Sequence, residues 1–162
     1  MRIRKNSDEC IEGGVVHSGY DADAPRKIES NKPIKFHCIF SLLTFCDSGW
    51  LGNRVYRLDA ILESGVVKGC LDWHCGGEGE KTTFETAPEF MENLHEIVIK
   101  YDLAKHNGYT RVVSGLPDMF GSKLDVRYDS GEYIYAHNNQ DCFLSMEMME
   151  ETVKLFREFC VK

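Results

Sequence analysis

The sequence predicts an α+β domain: an antiparallel sheet of five to seven strands with two helices packed on one face. Three observations carry this reading. Two stretches of strict alternation fold back around Ser64-Gly65 and Ser130-Gly131. Each is followed by a segment of helical periodicity. Hairpins separated by helices, in place of a regular strand–helix alternation, favour an antiparallel sheet over a parallel one. At 162 residues the chain fits one domain. It divides into an N-terminal tail or irregular cover, residues 1–33, and a single α+β domain, residues 34–162.

Residues 1–33 are punctuated by Gly13-Gly14, Gly19 and the run Asp21-Ala-Asp-Ala-Pro25, and closed by Pro33. They predict at most one short strand. Ile34 to Phe45 is rich in β-branched and aromatic residues, and its later half is apolar on both parities, as in a strand covered on both faces.

The clearest pattern follows. Tyr56, Leu58, Ala60 and Leu62 alternate with Arg57, Asp59, Ile61 and Glu63. Beyond the turn, Val67, Gly69, Leu71 and Trp73 alternate with Lys68, Cys70, Asp72 and His74. A two-residue turn sets Leu62 against Val67, Leu58 against Leu71 and Tyr56 against Trp73, so the large apolar residues share a face. A register one residue longer would put Lys68 and Asp72 there.

Lys81 to Glu85 predict a further strand. Thr86 and Glu89 have capping-box spacing around Pro88, and Met91, Leu94, Val98 and Tyr101 form the stripe of a helix that Gly108 ends. In the second half, Leu124, Val126 and Tyr128 alternate, Ser130-Gly131 turns, and Tyr133 to His137 returns. With Tyr128 facing Tyr133, Ser122 would lie near Asn139. Ser145 then caps a helix with the stripe Met149, Val153, Phe156 and Cys160. The two hairpins align without gaps, Arg57-Leu58-Asp59 on Lys123-Leu124-Asp125, which suggests an internal ββα duplication.

The seven cysteines are odd in number and scattered, which points to reduced thiols in a cytoplasmic protein. Basic residues open the chain, but no apolar segment of signal-peptide type follows. The most apolar stretch, Cys38 to Cys46, is half the length a membrane span needs. With 19 basic and 26 acidic residues the net charge is −7, which argues against nucleic acid and anionic membranes as partners.

Chemistry has few footholds. Cys70, His74 and Cys75, with His37, Cys38 and Asp59, contain metal-ligating types. Cys75 points away from the face shared by Cys70 and His74, however, so no metal site is expected. Cys70 and His74 lie over ~13 Å apart along a strand and cannot form a nucleophilic dyad. Cys142, before the second helix, has His137 as its nearest candidate base. The most informative cluster is His137, Asn138, Asn139, Gln140 and Asp141, between a strand and a helix start. Beside it stands the loop 114–122 with apolar Met119 and Phe120 at its tip. These seven residues are the candidate ligand- or partner-binding site. The alternative is that they solvate a connection and cap a helix.

P-loop, dinucleotide-binding, zinc-protease and hydrolase-elbow motifs are absent from the sequence. The reading is a small acidic binding or protein-interaction domain without catalytic activity or cofactor, with a basic protein or a small molecule as partner. The alternatives are a cysteine/histidine-dependent enzyme at the 114–122 and 137–142 loops, and a metal-binding protein.

Overall fold

Alternation at period two dominates the sequence, and the computed structural model accordingly places most of the chain in one sheet. The structure describes residues 4–45, 49, 51–116 and 121–160, with side chains from Ser7 onward. Nine strands run in chain order: β1 (Arg4–Ile11), β2 (Gly14–Asp21), β3 (Pro33–Phe45), β4 (Leu51–Glu63), β5 (Val66–Cys75), β6 (Glu78–Thr86), β7 (Tyr109–Ser114), β8 (Ser122–Tyr128) and β9 (Tyr133–Asn138). Helix α1 (Glu89–Lys100) and a short 3-10 turn, Leu103–His106, lie between β6 and β7, and α2 (Met146–Cys160) follows β9.

The spatial order is β1-β2-β7-β9-β8-β3-β4-β5-β6. All pairs are antiparallel except β7 with β9, which are parallel. The expected antiparallel sheet of five to seven strands is therefore a mixed sheet of nine. Residues 4–21 supply two of the extra strands as a hairpin. They were illegible because β1, Arg-Lys-Asn-Ser-Asp-Glu-Cys-Ile, is an edge strand with almost no apolar residue to alternate.

The first long hairpin has the predicted register: Leu62 opposes Val67, Leu58 opposes Leu71 and Tyr56 opposes Trp73. Ser64 (φ 51°) and Gly65 (φ 78°) both take the left-handed conformation that a two-residue turn needs for strands of right-handed twist. In the second hairpin Arg127, not Tyr128, opposes Tyr133, and Ser122 opposes Asn138. The shift sends Ile134 and Ala136 into the core and leaves Tyr133 and Tyr135 on the other face. There Arg127 lies over the Tyr133 ring and Lys123 over the Tyr135 ring.

The duplication fails on handedness. Both β4 and β8 run antiparallel to β3, so they point the same way. Leu58 and Leu124 are both in the core on the helix-covered face. Superposing β4 on β8 would then put β5 and β9 on opposite sides, an arrangement no rigid rotation can bring into coincidence. The likeness of the two segments is that of two hairpins under the same steric rules.

Both helices contribute to one core on one face of the sheet. Its aromatic centre is Phe84, Phe90, Phe156 and Phe159, with ring centroids 4.9–5.9 Å apart. Gly69 makes room for it: a Cβ there would come within 2.1 Å of the Phe84 ring. Each fully buried Phe or Leu contributes about 1.5–3 kcal/mol of transfer free energy, which makes this layer the main source of stability.

Thr86 does not cap α1. It is the last residue of β6, paired with Val67, and Pro88 stands at the helix start with no side-chain capping bond. The helix stops at Lys100 instead of continuing toward Gly108, because Asp102 takes a left-handed conformation before the 3-10 turn. Ser145 does cap α2, its Oγ accepting the Met148 N–H at 3.2 Å. Cys10, Cys38, Cys70, Cys142 and Cys160 are free thiols. Cys75 is disulfide-bonded, so the expectation of reduced thiols does not extend to it. Among the described residues no helix is long and apolar enough to cross a membrane.

Candidate functional site

The parallel contact of β7 with β9 is the narrowest joint in the sheet. Only Thr110 with His137 and Arg111 with Asn138 are in register there. Two buried asparagines extend the joint at either end. Asn139 Oδ1 accepts the Val113 N–H at 2.8 Å and its Nδ2 donates to the Val113 carbonyl at 2.9 Å. Asn107 Oδ1 accepts the Tyr135 N–H at 2.9 Å, and its Nδ2 donates to the carbonyls of Pro25 and Tyr133 at 2.8 and 2.7 Å. A side-chain amide has the donor–acceptor pair of a peptide group, so each asparagine stands in for a missing rung of ladder. Arg26 closes the same corner through the Asn107 carbonyl.

The face of the sheet opposite the helices is polar and ordered in rows. One row, read across five strands, is Cys70, Asp59, His37, Asp125 and Tyr135. His37 Nδ1 contacts the Asp59 carboxylate. Asp125 accepts from Arg127 Nε at 2.7 Å and faces Lys35 Nζ at 3.8 Å. Burial pushes the Cys70 thiol up, which keeps it protonated and weakly nucleophilic.

Across the joint this face forms an open groove of about 380 Å³, lined by Asp8, His17, Gly19, Thr110, Val112, Tyr135 and His137 among others. Strand register explains its shape. Gly19 sits opposite Thr110 and His17 opposite Val112, so β7 stands between the two imidazole-bearing strands and Gly19 leaves a position without a side chain beside His17. His17 Nδ1 is 3.0 Å from Asp8 Oδ1 on the neighbouring strand. Thr110 Oγ1 donates to the Gly19 carbonyl at 3.4 Å. The groove thus offers a carboxylate, two imidazoles, a phenol and a hydroxyl.

Of the residues singled out from sequence, His137 lies in this groove. Asn138 and Asn139 are buried and bonded to backbone. Asn138 Oδ1 accepts the N–H groups of Gln140 and Asp141 at 3.0 and 2.9 Å. Gln140 donates to the Asn139 carbonyl at 3.1 Å, and Asp141 Oδ2 is 3.9 Å from Arg111. Ser122 Oγ accepts the Phe143 N–H, and Gly121 backs so closely onto Asn138 and Asn139 that a Cβ would meet their backbone at 2.4–2.5 Å. The turn is closed around its own bonds. Met119 and Phe120 lie outside the described residues. Cys142 Sγ donates to the Leu144 carbonyl at 3.5 Å and touches Met149 Sδ at 3.7 Å. Among the described residues no three His, Cys, Asp or Glu side chains are placed to hold a metal ion.

Asp8, His17, Gly19, Thr110 and Tyr135 were not found by sequence reasoning. They are gathered by the β1–β2 hairpin docking on β7, a long-range pairing for which the first 21 residues carry no alternating apolar pattern, Val15 and Val16 being adjacent. The one legible hint was Gly19 inside an otherwise strand-like stretch, since an interior strand glycine often marks a close approach. No protein-family model, no curated protein and no solved structure significantly matches the chain.

Proposed function

We propose that the protein is a small acidic binding domain without catalytic activity, and that its ligand seat is the open-face groove across the β7–β9 joint. The observation that carries this reading is the convergence of Asp8, His17, Thr110, Tyr135 and His137, from four strands, on one groove in which Gly19 leaves a position without a side chain. A volume of about 380 Å³ suits a small molecule better than a protein surface. Tyr135 and the imidazoles offer faces for stacking, while Asp8 and Thr110 offer polar edges. The fitting ligand is small and planar and carries both donors and acceptors. A non-catalytic role is supported by the raised Cys70 thiol and by the bonds that engage Thr110 and Cys142.

The test is a titration of the full chain with adenine, uracil and indole as planar probes, read on the ring signals of His17 and His137 by NMR. At least one probe is expected to move both signals together. Gly19→Val, which suits a strand but puts a branched side chain into the groove beside His17, is expected to abolish that response while leaving the thermal midpoint within a few degrees of wild type. Silence from all three probes, or a response that survives Gly19→Val, overturns the reading.

A further inference from the structure

The sheet ends, on the side away from the ligand groove, at β6, whose outer edge meets no strand among the described residues. Its register with β5 runs unbroken from Thr86 opposite Val67 to Glu78 opposite Cys75, and its nine residues contain no proline. Proline, bulges, brevity and a covering segment are devices that keep an edge strand from pairing. The first three are missing from β6, and Glu80, Lys81, Thr83 and Glu85 along it are exposed. The outward N–H and C=O groups of such a strand are a template for one more strand.

Charge selects that strand. Lys81 and Glu85 lie on the open face, opposite Asp72 and Lys68 of β5. Neither is in a salt bridge among the described residues, Lys68 being engaged by Glu63 at 2.9 Å. Thr83 stands midway between them. A two-fold axis normal to the sheet through Thr83 therefore sets Lys81 of each copy directly opposite Glu85 of the other. Thr83 then faces itself, Thr82 faces Phe84 and Glu80 faces Thr86, so no like charges oppose. The row across the joined edge reads Arg57, Asp72 and Lys81 of one copy, then Glu85 and Lys68 of the other, with the sign alternating at every step. An axis through Lys81 would set that residue against itself. One through Thr82 or Phe84 leaves both Lys81 and Glu85 opposite uncharged residues.

We infer that β6 pairs antiparallel with β6 of a second copy of this chain, about a two-fold axis through Thr83, joining two nine-stranded sheets into one. The contact is self-complementary and closes with two copies, as a two-fold interface must. Opposite charges and paired threonines across neighbouring strands are the interactions that stabilise a ladder. The interface lies at the end of the sheet away from the ligand groove, so either proposal can fail without the other.

The experiment is sedimentation equilibrium of the full chain, whose monomer mass is 18.5 kDa. The expected result is a reversible dimer. Lys81→Glu and Glu85→Lys each set like charges opposite one another twice across the axis, and each is expected to weaken the dimer at least about tenfold in Kd. The double variant K81E/E85K is expected to recover dimerisation. Cross-linking reads the register separately. Directly opposed residues of an antiparallel pair have Cα atoms about 4.5–5.5 Å apart, within reach of a disulfide. Cys70 opposes Thr83 within the chain, so the test uses a Cys70→Ser background. There Thr83→Cys is expected to oxidise to a covalent dimer. Lys81→Cys, about 13 Å from its counterpart across the axis, is not. A wild-type chain that stays monomeric throughout the concentration range overturns the inference. So does a dimer indifferent to both single charge reversals, a double variant no better than the singles, or a Thr83→Cys that cross-links no faster than Lys81→Cys.

Discussion

The two faces of the sheet come from alternate residues of the same strands, yet they are built on different physics. The row on the covered face reads Leu71, Leu58, Cys38, Leu124 and Ala136; one residue along, the open face reads Cys70, Asp59, His37, Asp125 and Tyr135. The first row is buried under two helices and gains from removal of apolar area from water. The second is held by neighbouring charges on the uncovered face, where an ion pair open to water contributes about 0–1 kcal/mol. Stability is concentrated on one face, which leaves the other free to vary in chemistry at little cost to the fold. A recognition surface is best placed there.

The sharpest way to break this contrast is to remove Phe156, which touches Phe36, Phe84 and Phe90. Phe156→Ala is expected to lose about 3–5 kcal/mol in urea unfolding. Asn107→Ala comes next. It leaves the Tyr135 N–H and the Pro25 and Tyr133 carbonyls without their partner, at about 1–3 kcal/mol for each group that stays dry. Gly69→Ala drives a methyl into the Phe84 ring, and a loss of about 1–3 kcal/mol is expected in the same assay.

Acid provides a gentler test. Burial lowers the pKa of His95, beside Tyr128, and of His106, against the Phe143 ring. The unfolded chain therefore takes up protons on these residues before the folded one does. Stability is fully present above the ordinary histidine pKa of about 6.5 and declines as pH falls below it. Thermal midpoints below that pH should fall with acidity, and the slope should flatten in His95→Gln. The smallest effect belongs to the open face: Asp59→Asn, which neutralises the carboxylate beside His37, should change unfolding free energy by less than about 1 kcal/mol. A loss there as large as that of Gly69→Ala would erase the distinction between the faces.

What could be read from the sequence follows the same division. The register of β4 with β5 was legible because a one-residue slip would have buried Lys68 and Asp72. The register of β8 with β9 was not, since tyrosines at 133 and 135 fit either face and only the assembled core chose Ile134 and Ala136. The N-terminal hairpin was hidden for a related reason: its partner strand lies some 90 positions along the chain, with Gly19 opposite Thr110. Within the candidate site, His137 was found through its polar neighbours, whereas the groove around it exists only after that pairing. Asn107 was hidden too, because an asparagine before a glycine reads as a turn, and nothing local shows that it bridges two strands.

The parallel joint has a consequence for motion. Strands β1, β2 and β7 hold one another by full antiparallel ladders but meet the rest of the sheet through two paired positions, two asparagine side chains and a few further bonds, among them Gly108 N–H to the Tyr135 carbonyl and Asn139 N–H to the Arg111 carbonyl. Such a leaf is a natural unit of sub-global opening, and its amides should exchange with solvent as a group, ahead of those in β3 and β4. The groove straddles the boundary, with Asp8, His17 and Thr110 on the leaf and Tyr135 and His137 on the main sheet. Whatever fills it would bridge two cooperative units, so occupancy would be written in the exchange rates of strands far from the ligand itself.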